Sequence, residues 1–101
     1  MQAKLRLEWR PQASTDLIEI VAYIADSNPE AAQKLKDEIE TKTDKLPDNP
    51  GLYKPSVRVK GFRELIIRSN YIVIYRESPG LVEIVNVIHA RRQWPPRRAK
   101  A

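Results

Sequence analysis

The chain has 101 residues, of which 42% are hydrophobic, 18 are Lys or Arg, 13 are Asp or Glu and none is Cys, for a formal net charge of +5. That length carries one small domain with a single core and excludes a substrate domain set beside a cofactor domain. The missing thiols exclude disulfide staples, a cysteine nucleophile and sulfur-based zinc sites, and the lack of any run of about 18 apolar residues or of an apolar leader points to a soluble cytoplasmic protein.

Residues 3–9 alternate strictly, with Ala3, Leu5, Leu7 and Trp9 on one face and charges on the other, which predicts a half-buried strand. Pro11 suits a first helical turn, and Leu17, Ile20, Val21 and Ile24 then recur at three- and four-residue spacing, predicting a helix over about 12–26. Asn28-Pro29-Glu30 combines a capping side chain, a preset φ and an early carboxylate, so a second helix runs from there to about Leu46. Ala32, Leu35, Ile39 and Leu46 share its apolar face, and the two-residue joint folds the pair into an αα-hairpin. Two prolines and Gly51 end the helix, and a loop follows to about Pro55.

Three strands close the chain, over about 62–68, 71–77 and 81–89, with turns at Ser69-Asn70 and Ser78-Pro79-Gly80. Such short turns make the strands antiparallel, and the apolar content of the last two on both faces predicts central positions with the helices over one side. The expectation is therefore an α+β fold. Its charge is divided: residues 1–50 hold seven Lys and Arg against ten Asp and Glu, net −3, whereas residues 51–101 hold eleven against three, net +8. A basic half of that kind attracts nucleic acid, an acidic protein surface or an acidic segment.

Each candidate functional residue has a plainer reading beside it. His89 at a strand end serves equally as a structural or binding residue. Arg63 is able to pair across strands with Glu77 or Glu83, and Tyr71, Val73 and Tyr75 share a face in the manner of core packing. Arg91, Arg92, Trp94, Arg97, Arg98 and Lys100 crowd the last eleven positions, which fits interface anchors or a solvated tail. No phosphate-cradling glycine loop, His/Asp cluster or nucleophile elbow is present, so neither cofactor nor metal is expected.

Three stretches carry a resemblance: Gly61-Phe62-Arg63-Glu64-Leu65, Tyr71-Ile72-Val73-Ile74-Tyr75-Arg76 and Val87-Ile88-His89-Ala90-Arg91-Arg92, preceded by a helix with Ala13, Asp16, Leu17 and Ile20 in place. Together with the order strand, helix hairpin, three-strand meander, they make the chain resemble the RelE/ParE superfamily of toxins from bacterial type II toxin–antitoxin modules, nearest the ParE or plasmid-stabilisation branch. The resemblance implies one toxin domain over residues 1–94, a basic tail over 95–101, no cofactor, and tight binding by a cognate antitoxin. ParE-like members poison DNA gyrase, and in this chain His89, Arg91, Arg92 and Trp94 are then the target-binding residues. RelE-like members cleave mRNA on the ribosome, and that alternative gives Arg63 and Arg68 to the phosphate and makes His89 the acid or base, with Lys54, Arg58 and Lys60 within a loop's reach. Ribonuclease members often add further Lys, Arg, Tyr or acidic residues, whereas here Ala90-Arg91-Arg92-Gln93-Trp94 follows His89 with no Tyr. A third possibility is a non-toxic nucleic-acid-binding module. Ile18, Tyr23 and Leu35 are the apolar points at which an antitoxin segment would dock on the helices.

Overall fold

A computed structural model describes residues 5–91. In chain order they form β1 (Arg6–Trp9), α1 (Pro11–Ala25), α2 (Pro29–Asp44), β2 (Arg63–Ile67), β3 (Tyr71–Ser78) and β4 (Leu81–His89). The strands make one sheet in the order β1-β4-β3-β2, with β1 parallel to β4 and the other pairs antiparallel. β3 and β4 are thus central, as their two-sided apolar content predicts.

Local chemistry explains the helix boundaries. α1 opens on Pro11, and α2 opens under a cap in which Asn28 Oδ1 accepts the Ala31 N–H at 3.1 Å. α2 buries Ala32, Leu35, Ile39 and Thr43, and the Thr43 hydroxyl is satisfied by donating to the Ile39 carbonyl at 2.9 Å. Leu46 continues the same face just past the helix end.

Both helices lie on one face of the sheet. Ala13, Leu17, Leu35, Ile39 and Leu46 meet Leu65, Ile67, Val73, Tyr75, Val82, Ile84 and Val87, with Leu5, Leu7 and Trp9 packed at the margin. The alternation read in the first strand is this margin, and the Val73 and Tyr75 side chains belong to the core. A bulge in β4 makes the arrangement possible: Ile74 pairs with Asn86 but Tyr75 pairs with Ile84, leaving Val85 as an extra residue. Ile84 and Val87 therefore both face the helices, three positions apart. On the other face, Ile72, Ile74 and Ile88 form a smaller cluster covered by Val59 and Phe62 from the long loop between α2 and β2.

Two sequence expectations change here. Arg63 pairs with neither Glu77 nor Glu83; it stands opposite Tyr75 on the helix face, and its Nη1 donates to the Tyr53 carbonyl at 2.7 Å, pinning the loop. Leu35 is only 2% exposed, so it belongs to the core beneath the hairpin and offers no docking point. The tail expected over 95–101 lies outside the described residues.

Candidate functional site

α1 presents Asp16, Glu19, Ile20 and Tyr23, spaced three, four and seven residues apart, toward the end of β4. With Tyr71, Val87 and His89 they line an open cleft of about 240 Å³. His89 is the last residue of β4 and pairs with Tyr71, the first of β3; their rings meet edge to face at 5.4 Å. The His89 Nδ1 accepts the Arg91 N–H at 3.2 Å, so in the neutral ring the proton sits on Nε2. His89 is exposed and presents that donor at the sheet's end.

Asp16 holds this end together. Its Oδ2 accepts the Asn86 side-chain amide at 2.8 Å and the Val87 N–H at 2.9 Å, satisfying the backbone beside the bulge, while Gln12 donates to Oδ1 at 2.8 Å. In the sequence Asp16 appeared only among the helix residues that carry the resemblance, with no role assigned to it. The signal that could have found this site is the stripe Asp16, Glu19, Ile20, Tyr23, whose polar and aromatic members flank the apolar helix face on one side.

The residues assigned to RNA cleavage are not gathered here. Arg68 sits in the β2–β3 turn, where it and Ser69 have positive φ (54° and 63°), and its Nε binds Glu38 of α2 at 2.7 Å. Arg68, then Lys42, holds the Glu38 carboxyl below its usual range against the opposing effect of burial. Arg63 lies opposite Tyr75, four positions along β3 from the partner of His89, which is about 13 Å at ~3.3 Å per residue. Arg58 pairs with Glu64 at 3.2 Å, and Lys54 and Lys60 are exposed on the loop. The cleft beside His89 is lined by two carboxylates and two phenols, with no Lys or Arg among its described lining residues.

Arg91 is exposed two residues after His89, and the other two expected target-binding residues, Arg92 and Trp94, lie outside the described residues. Ile18 on the hairpin and Tyr23 at the rim of the His89 cleft are 67% and 83% exposed. Ile18 joins Leu17, Val21, Ala22 and the stem of Lys36 in a shallow apolar groove of about 270 Å³. Among the described residues no group of three or more His, Asp or Glu is placed to hold a metal ion, and no helix is long and apolar enough to cross a membrane.

Comparisons with known proteins agree on the kind of molecule. The model of the family described as ParE toxin of type II toxin–antitoxin system, parDE, matches residues 7–94. Y4kP, a Sinorhizobium fredii protein whose name assigns it as a toxin, is 39% identical over 92% of this chain and 96% of its own length. Toxin RelE2 of Caulobacter vibrioides is 33% identical over 83% of this chain and 93% of its own. Among solved structures, the chromosomal ParDE system of P. aeruginosa superposes with a TM-score of 0.77 at 24% identity, covering 87% of this chain and 98% of that one. The RelBE2 toxin–antitoxin complex of Mycobacterium tuberculosis superposes at 0.59 with 21% identity, covering 86% and 99%. The last two likenesses are likenesses of fold.

Proposed function

The chain belongs to the ParE toxin family of type II toxin–antitoxin systems, and from that premise we propose that it acts by binding DNA gyrase and is neutralised by a cognate antitoxin. The observation that carries the gyrase reading is the surroundings of His89. Metal-free cleavage of RNA needs cations on the phosphate in addition to a proton donor and acceptor. Here Arg68 is tied to Glu38, Arg63 is tied to the Tyr53 carbonyl at the far end of the strand, and the cleft itself carries Asp16 and Glu19. Poisoning by binding asks for no chemistry from the toxin, only for anchors, and His89 and Arg91 form the described part of a set completed by Arg92 and Trp94.

The experiment is negative supercoiling of relaxed plasmid by purified gyrase and ATP, with the antitoxin-free protein titrated in. Inhibition with accumulating cleaved DNA is the expected result, and no effect at large excess would overturn the reading. Ribosome-dependent mRNA cleavage is the second reading, favoured by the 33% identity to Toxin RelE2. His89→Ala separates the two: an enzyme loses its toxicity while a binder responds more strongly to Arg91→Ala, Arg92→Ala and Trp94→Ala. A basic module without toxicity, the third reading, predicts salt-dependent binding of free nucleic acid and no growth arrest.

Support for the antitoxin comes from the toxin–antitoxin complexes among the fold's solved relatives, which include RelBE2 and the E. coli DinJ–YafQ pair. The groove at Leu17, Ile18, Val21 and Ala22, with Tyr23 further along α1, is the apolar surface we assign to that partner. Its docking points are then Ile18 and Tyr23.

A further inference from the structure

The sheet face turned away from the helices carries a cleft of about 460 Å³ that the toxin reading does not use. Arg10, Gln12, Phe62, Arg76, Val85 and Asn86 line it. Behind the two arginines lies Glu83, 7% exposed and outside the lining, which accepts from Arg10 Nη1 at 3.0 Å, Arg76 Nε at 2.7 Å and Ser78 Oγ at 2.9 Å. Glu83 fixes both guanidiniums from the rear, and Arg76 is further held over the Phe62 ring at 5.4 Å. Each guanidinium carries five N–H donors and spends few of them on Glu83, so most of the donors of two half-exposed arginine side chains remain. Among the described residues no carboxylate lines the cleft in front of them.

We propose that this cleft is a receptor for one carboxylate side chain, Asp or Glu, presented by a polypeptide partner. Two guanidiniums backed by one carboxylate leave a surplus of one positive charge, which matches one monoanion, and two preorganised forks suit the planar geometry of a carboxylate. A nucleic-acid track would instead need several uncompensated cations spaced along the phosphates. On this face the described guanidiniums stand near carboxylates instead: Arg58 is paired with Glu64, and Arg6 lies two residues along β1 from Glu8, which stands opposite Glu83. The site is separate from His89 and does not depend on which target the toxin has.

The test is a titration of the free full-length protein followed by the arginine Nε–Hε resonances in nitrogen-15 NMR. The probes are a capped Gly-Glu-Gly peptide, its Gln counterpart, inorganic phosphate and a short thymidine oligonucleotide. A saturable shift of the Arg10 and Arg76 signals by the Glu peptide alone is expected, with millimolar affinity. Arg10→Gln and Arg76→Lys each weaken it by about tenfold, while circular dichroism reports an unchanged fold. Arg76→Lys keeps a cation beside Glu83, so the measurement survives if a charge-removing variant unfolds. Equal or tighter binding of phosphate or oligonucleotide overturns the proposal, as does the absence of a saturable shift or a shift that neither variant weakens. Gyrase takes no part in this assay, so its result is independent of the toxin's target.

Discussion

Asp16 accepts two N–H groups from the bulged stretch of β4. Asp16→Ala leaves the Val87 N–H without its partner in a part-buried setting, and a loss of about 1–3 kcal/mol is expected in urea unfolding. Asp16→Asn keeps one acceptor oxygen and is expected to lose less. Glu83 gives a pH-dependent signature instead. Arg76, then Ser78 and Arg10, hold its pKa down to about 2 from the ordinary 4.5. Because the folded value is depressed, the stability this group contributes is complete above the unfolded pKa and is lost as pH falls from about 4.5 toward 2. A melting temperature level from neutrality to about pH 5 and falling through that window is expected. Glu83→Gln flattens the fall but does not abolish it, since Glu38, lowered chiefly by Arg68, titrates in the same direction. An identical pH profile in the variant would refute this assignment.

At the scale of elements, the helix hairpin separates what holds the fold from what meets a partner. Leu35→Ala opens a cavity between α2 and the sheet and is expected to cost about 2–5 kcal/mol. Ile18→Ser and Tyr23→Ser change side chains that are mostly in water, so their effect on stability stays within about 0.5 kcal/mol. Calorimetric titration with the antitoxin is expected to show both weakening the complex, and unchanged affinity of Ile18→Ser would remove the groove from the interface. The sequence let the helices be placed to within a residue or two, because Pro11 and Asn28-Pro29 are local signals whose chemistry does not depend on the rest of the molecule. Leu35 was harder to assign, since helical spacing identifies an apolar face without saying whether the sheet or a partner covers it. The bulge at Val85 was invisible for a related reason: Ile84, Val85, Val87 and Ile88 are all apolar, so alternation could not report a change of parity. Arg63 shows the same limit, because its partner follows from the register with Tyr75 and from the loop that brings Tyr53 back.

For the whole molecule, topology sets an order of assembly. β2 and β3 are joined by a three-residue turn, and β3 and β4 by Pro79 and Gly80, so the meander forms from local contacts. β1 instead pairs with β4 in parallel, matching Arg6 with Leu81 and Leu7 with Val82, and this closure must span both helices and two strands. Loop-closure entropy favours making that contact last. Val73, buried between Leu65 and Val87, is then in the folding nucleus, whereas Leu7 joins at the margin after the barrier is crossed. Stopped-flow chevrons are expected to show Val73→Ala mainly slowing folding, with φ above about 0.5, and Leu7→Ala mainly speeding unfolding, with φ below about 0.3. A high φ at Leu7 would mean that the β1–β4 pairing is already formed at the barrier. The N-terminal strand would then belong to the nucleus, and its loss would slow folding instead of merely exposing one edge of β4.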